Sequence, residues 1–274
     1  MLRYLIMALL GVISLVLAYS VLVEPYNLQV TEHGFDLFDG SGHPLKAVLI
    51  SDTQTAYDDP GYLSRVISVV NAEEPDIVFL AGDIVDGEPG GWSKLGQLSG
   101  LQAKHGVYAV LGNHDYRDWR CDDPTNDGYA ENVTKALEGY GIGVLRNRHV
   151  DLDIDGRRFS LVGVDDLWAC KSDLRGALSG VDMSRPKVIL VHNNVAVRGH
   201  PLGNHTLVLS GHTHCGQVDV PFITDLLVDV LGFGKITGGA RKLPDGNSVF
   251  VTCGVVPGGI RLFSRPEISV LYLD

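Results

Sequence analysis

Cationic residues are scarce in this chain. Lysine and arginine total 22 against 33 aspartates and glutamates, a formal charge of −11. Broad, sequence-independent nucleic-acid binding needs many cations facing phosphates, so long nucleic acids are not an expected partner. An anionic substrate stays open, because bound metal ions can supply locally the positive charge that the chain lacks. Cysteine is sparse too, and four in 274 residues do not make a disulfide-built scaffold. Fixed-period repeats and low-complexity tracts are missing. With 45% hydrophobic and 20% charged residues, the chain is neither a disordered polymer nor a coiled coil. Its length is enough to bury a sizeable core.

The first feature present in strength is an uncharged run of twenty residues, Tyr4 to Val23. As a helix rising ~1.5 Å per residue it would cover about 30 Å, the thickness of a bilayer's hydrocarbon core. Arg3 precedes the run, and Glu24 and Glu32 follow it. The positive-inside bias then leaves the N-terminus in the cytoplasm and the rest of the chain outside, as a single-pass membrane protein. Residues 1–25 therefore read as an anchor and residues 26–274 as the functional domain. A cleaved signal peptide ending near Ala18-Tyr19-Ser20 is the competing reading.

In the remainder, short apolar runs repeatedly end in small residues followed by a side chain able to bind metal. Lys46–Ser51 leads to Asp52, Asp76–Gly82 to Asp83, and Val107–Gly112 to Asn113. Lys187–Val191 leads to His192, and Thr206–Gly211 to His212. Runs of this kind predict strands buried on both faces. Further strands are predicted near Phe159–Val164, Ser248–Thr252 and Ile268–Leu273, with helices over Tyr62–Ala72 and Glu131–Glu138. The alternation gives an α/β domain. Ligands of such sheets bind beyond the carboxyl ends of the strands, where these side chains fall.

Asp52, Asp83, Asn113, His192, His212 and His214 form a mixed oxygen and nitrogen donor set. Carboxylate and amide oxygens suit Mn²⁺, Mg²⁺ or Fe²⁺, and imidazoles add affinity for Zn²⁺ and iron. The set is too large for one tetrahedral zinc and points to two divalent ions about 3.5–4 Å apart. Two carboxylates against two dications leave a net charge of about +2, which favours a phosphate oxyanion and makes hydroxide available near neutral pH.

These motifs resemble those of the calcineurin-like metallophosphoesterases. D-x-[HQ] stands as Asp52-Thr53-Gln54, G-D-x-x-D as Gly82-Asp83-Ile84-Val85-Asp86, and G-N-H-D as Gly112-Asn113-His114-Asp115. A lone histidine, His192, and G-H-T-H as Gly211-His212-Thr213-His214 complete the order. The chain is most similar to the membrane-associated bacterial and archaeal branch, where G-H-T-H-G-G-Q stands in place of this chain's Gly211–Gln217. The resemblance implies a four-layer α/β/β/α sandwich with the metals at its edge. It also implies one metal on Asp52, Gln54, Asp83 and His214, and a second on Asp83, Asn113, His192 and His212. His114 would stabilise phosphoryl oxygens or protonate the leaving oxygen, oriented by Asp86.

Gln54 departs from the commoner D-x-H. Its amide oxygen is a harder, weaker donor than imidazole and shifts the first position toward Mn²⁺ or Mg²⁺. A D-x-Q motif also occurs in manganese-dependent ADP-ribose/CDP-alcohol diphosphatases. The expected activity is phosphodiester or diphosphate hydrolysis with two divalent ions, Mn²⁺ foremost, on a nucleotide or lipid-linked phosphate. A non-catalytic metal-stabilised binding module, with one position disabled by Gln54, is the alternative. Protein phosphatases of the family carry G-D-x-x-D-R-G, and this chain lacks that arginine.

Arg117, Arg120, Lys235, Arg241 and Arg261 are candidate phosphate contacts, with a solvated surface role the first reading for each. Cys121 and Cys170 follow strand ends, where a disulfide and two free thiols are both open readings. Cys215 reads as a small buried filler and Cys253 as a core residue. Phe222–Phe233 is apolar on one helical face with Asp225 and Asp229 on the other. It reads as a packed helix, with a lip toward lipid as the alternative.

Overall fold

The computed structural model describes residues 1–38, 43–55, 60–87, 92, 94–117, 121, 125–220, 223–230, 236–243 and 245–274. In chain order they form helix α1 (Leu2–Leu22) and strands β1 (Gln29–Phe35) and β2 (Leu45–Ile50), then α2 (Pro60–Ala72), β3 (Ile77–Ala81) and β4 (Val107–Val110). Next come α3 (Thr125–Gly139), β5 (Ile142–Val144), β6 (Arg148–Ile154), β7 (Arg157–Val164) and α4 (Leu174–Ala177). The chain closes with β8 (Lys187–Val191), β9 (Thr206–Ser210), α5 (Ile223–Val230), β10 (Gly239–Lys242), β11 (Ser248–Val251) and β12 (Glu267–Leu273).

The strands make two six-stranded sheets, ordered β1-β12-β2-β3-β4-β5 and β10-β11-β9-β8-β7-β6. Within the first, β2 to β5 run parallel, and β12 is antiparallel to β2. Within the second, β7, β8, β9 and β11 run parallel between antiparallel edges β6 and β10.

Side chains alternate across each strand, so every central strand feeds two cores. Leu49, Phe79 and Val110 meet Leu161, Leu190, Leu209 and Phe250 between the sheets. On the outer face of the first sheet, Val48, Val78 and Ala109 pack with Val66 and Val70 of α2 and Val133 and Leu137 of α3. Val162, Ile189 and Val208 do the same on the outer face of the second, against Leu174 and Ala177 of α4. Helix, sheet, sheet and helix are therefore four layers, as the resemblance implied. The continuous apolar runs follow directly, because residues of both parities are buried.

All eight strands expected from the sequence are present, and they occupy the interior of the sheets. The four not expected, β1, β5, β6 and β10, are the four sheet edges. An edge strand faces water along one side and carries polar residues, as in the alternating burial of Gln29–Phe35, so its apolar signal is weak.

Two expectations are corrected here. Cys215 and Cys253 are neither filler nor plain core, because they form a disulfide with Cα atoms 4.7 Å apart. Cys215 follows β9 and Cys253 follows β11, which are parallel neighbours leaving the sheet at the same end. That adjacency joins residues 38 apart and has no local sequence signal. Cys121 and Cys170 form a second disulfide, the first of the two readings left open for them. The other correction concerns α5, whose described apolar side chains Ile223, Leu226 and Val230 are exposed and not packed. Phe222 and Phe233 lie outside the described residues.

Candidate metal centre

The parallel central strands bring their carboxyl ends to one edge of the paired sheets, and the motif residues stand there. Asp52 follows β2, Asp83 follows β3 and Asn113 follows β4, while His192 and His212 follow β8 and β9. The turns that hold them are tightly wound. Among the candidate ligands Asp52, Gln54, Asp83, His212 and His214 all have φ between 35° and 71°. Left-handed backbone at non-glycine residues costs energy and persists where surrounding structure over-determines it, commonly at functional sites.

Backbone hydrogen bonds lock those turns together. The Asp52 N–H donates to the Gly82 carbonyl at 2.9 Å and the Gln54 N–H to the Asp83 carbonyl at 3.0 Å. Gly82, at φ 85°, leaves no room for a side chain, since a Cβ there would lie 2.7 Å from both the Gly112 nitrogen and His192 Nδ1. A Cβ on Gly112 would run into the Asp83 carboxylate. Asp115 accepts from the Ile84 and Val85 N–H groups through Oδ1 and from the Gly112 N–H through Oδ2, each at 2.8 Å. This carboxylate, quoted in the G-N-H-D motif but given no role from sequence, pins the second motif to the third.

Asp83, His192 and His212 converge, with donor atoms all within 4.8 Å of one another. His192 Nε2 lies 3.1 Å from Asp83 Oδ2 and 3.1 Å from His212 Nδ1. His192 Nδ1 lies 2.7 Å from the Ala81 carbonyl, an acceptor only, so Nδ1 carries hydrogen and Nε2 faces the cluster. His214 Nε2 stands 3.7 Å from Asp52 Oδ1, and Asp52 Oδ2 accepts the His212 N–H at 3.3 Å. Trp168 sets its ring edge-on to His212 with centroids 4.3 Å apart, a neighbour that no motif announced.

The electrostatics of the site favour positive charge. Burial would raise the Asp83 carboxyl, but the adjoining His192 outweighs it and holds the group well below its usual range. Burial would lower His192, yet Asp83 pushes it up to about 10. The field that favours a proton on His192 is one that favours a cation in the same place. His212 is driven well below its ordinary value by burial and by His192.

The donors also fit metal by what they lack. Asp52 Oδ1, Asn113 Oδ1 and His214 Nδ1 are buried without a hydrogen-bond partner. Gln54 is buried in the same turn. Buried polar atoms left unpaired are costly unless a ligand completes them.

At the open side stands His114. Its backbone N–H donates to Asp83 Oδ1 at 2.9 Å, and its Nδ1 pairs with Asp86 Oδ1 at 2.7 Å. The Asp86 hydrogen bond, opposed by partial burial, lifts the imidazole to about 9.

The candidate phosphate contacts fare differently. Arg117 is exposed two residues beyond Asp115. Arg241 pairs with Val249 near the start of β11, away from the site end of that strand. Arg261, a candidate phosphate contact, is neither that nor a solvated surface residue but buried, with its guanidinium donating to the carbonyls of Cys253, Val256 and Ser264. Arg120 and Lys235 lie outside the described residues.

Oxygen and nitrogen donors kept dry at the strand ends of a paired-sheet fold are the mark of a metallohydrolase. The profile of the calcineurin-like phosphoesterases matches residues 45–216. The uncharacterized metallophosphoesterase YkuE of Bacillus subtilis is 29% identical over 93% of this chain and 88% of its own. The phosphodiesterase YaeI of Escherichia coli is 28% identical over 91% of this chain and 90% of its own. A transmembrane protein with metallophosphoesterase domain from Danio rerio is 29% identical over 99% of this chain, which spans 62% of that protein.

The chain belongs to the calcineurin-like phosphoesterase family, and it is a metallophosphoesterase. Divalent metal ions are therefore its cofactors, and its apolar N-terminal helix is long and apolar enough to cross a membrane.

Proposed function

We propose that this protein is a membrane-anchored phosphodiesterase or diphosphatase using two divalent ions, with Mn²⁺ foremost. The observation that carries the reading is the set of buried donor atoms without a hydrogen-bond partner on Asp52, Asn113 and His214 beside the His114–Asp86 pair. Asp52, Gln54, Asp83 and His214 would hold one ion, and Asp83, Asn113, His192 and His212 the other. When bound, such ions polarise a phosphoryl oxygen and make water nucleophilic near neutral pH.

The chain's own residues do the rest. His192, held by the Ala81 carbonyl, and Asp83, held by the His114 N–H, keep their donor atoms aimed inward. His114, the open member, offers a proton at Nε2 to the leaving oxygen while Asp86 keeps Nδ1–H in place. A module that merely held metal would need neither residue. That counts against the non-catalytic alternative.

Residues 1–25 are the anchor and 26–274 the phosphoesterase domain. Retention of the anchor is supported by its contacts: the Ser20 carbonyl accepts from the Arg261 N–H, and the Glu24 carboxylate from the Ser264 N–H. The flanking charges support an extracytoplasmic domain. Tethering raises the effective concentration of substrates in the same membrane, which favours a lipid-linked phosphate. The test is hydrolysis of a chromogenic phosphodiester and a monoester by the full chain in detergent, with Mn²⁺, Mg²⁺, Zn²⁺ or chelator. Asp83→Ala should abolish turnover, and His114→Ala should lower turnover with metal content unchanged. Full activity in chelator would refute the reading.

A further inference from the structure

Large apolar side chains are exposed on two segments beside the base of α1. On α5, Ile223, Leu226 and Val230 are 54%, 65% and 74% exposed. Their i, i+3, i+7 spacing puts them on one helical face. On the loop before β12, Ile260 and Phe263 are 48% and 73% exposed. Scattered apolar residues at a surface are ordinary, whereas a contiguous set marks an interaction site.

The two segments are joined to each other and to the end of α1. Val218 bridges to Leu262, and the Asp219 N–H donates to the Leu262 carbonyl at 2.8 Å. The Arg261 N–H donates to the Ser20 carbonyl at 2.9 Å, and the Ser264 N–H to Glu24 Oε1 at 2.7 Å. The exposed loop residues thus lie where α1 ends, and the segment leading toward α5 is bridged to that same loop. The same loop reaches the metal centre, since Ser264 Oγ donates to the carbonyl of His214 at 2.6 Å.

We propose that α5 and the Ile260–Phe263 loop form an interfacial docking surface that rests in the bilayer entered by α1. The metal centre then opens at the membrane surface, toward phosphate esters whose apolar portion stays in the lipid. This rests on reading α1 as a membrane anchor. An amphipathic helix lying in the interface buries its apolar face at the headgroup–acyl boundary. Asp225 and Asp229 stand in the same helix, so apolar insertion and not attraction to anionic headgroups drives the contact.

The test uses the full chain in phosphatidylcholine vesicles. All four cysteines are in disulfides, so a single introduced thiol takes a nitroxide label alone. Labels go at Leu226→Cys and Phe263→Cys, with Leu10→Cys in α1 as the lipid reference. Ser184→Cys, just before β8 at the sheet end away from the site, is the water reference. Collision with oxygen is compared with collision with a water-soluble nickel chelate. The ratio of oxygen to nickel accessibility should be severalfold higher at 226 and 263 than at 184, approaching that at 10. Water-like ratios at 226 and 263 with a lipid-like ratio at 10 overturn the docking surface and leave the anchor intact. A water-like ratio at 10 overturns the anchor itself. Spin–spin broadening between copies at 226 and 263, with neither reagent admitted, makes the patch a self-association face and also overturns the proposal.

Discussion

Replacing Gly82 by alanine tests whether the site is built by close backbone approach. Two costs arise at that position. The residue sits at φ 85°, where a side chain costs about 1–2 kcal/mol. The new Cβ would also lie 2.7 Å from the Gly112 nitrogen, which is backbone and cannot swing aside. Overpacking of that kind costs about 1–3 kcal/mol, so the expected loss is about 2–5 kcal/mol. Gly112→Ala separates the contributions. Its backbone, at φ −110° and ψ −177°, suits any residue, so only the clashes with Asp83 and His192 remain, at about 1–3 kcal/mol. Urea unfolding of the full chain in mild detergent, with chelator present so that metal binding adds nothing, reads both losses as shifts in midpoint. If Gly82→Ala unfolds within about 0.5 kcal/mol of the parent, where unremarkable surface changes fall, the reasoning fails.

Gln54→His should bind metal more tightly at the first position, because imidazole is the stronger donor; an unchanged titration would remove Gln54 from the ligand set. Tyr116→Phe removes a 2.6 Å hydrogen bond to buried Asp165. It should cost about 1–3 kcal/mol in unfolding experiments, since the carboxylate loses a partner in a dry environment. Removing the Cys215–Cys253 bond with Cys253→Ser opens a loop closed across 38 residues. The loop-entropy relation puts the loss at about 4 kcal/mol, and a urea midpoint unmoved by the change would show that the bond contributes nothing to stability. Asp86→Asn should lower turnover most for substrates with poor leaving groups, read as a steeper dependence of rate on leaving-group pKa.

Much of the fold was legible from periodicity and much of the site from motif. Strands such as Ile77–Ala81 and Val188–Val191 are apolar at every position because each is sandwiched between two cores, and that pattern needs no partner to be read. The edge strands were not legible, because Gln29–Phe35 and Arg148–Ile154 alternate polar and apolar residues against solvent. Asp52, Asp83, Asn113, His192, His212 and His214 could be nominated from chemistry and from their position after strands. Asp115 carried a signal, its place in the G-N-H-D motif, whereas Trp168 carried none.

From its order of residues alone this chain determined which segments are buried strands, which end of each carries a donor, and that one helix is apolar on every side. Those are local properties, set by the side chains within a few positions. Tertiary structure decided what meets what. It joined Cys215 to Cys253, committed Arg261 to three backbone carbonyls, and set the loop before β12 against the end of α1. Each of these depends on which strands become neighbours, and sheet order links residues far apart in sequence through contacts that no local pattern encodes.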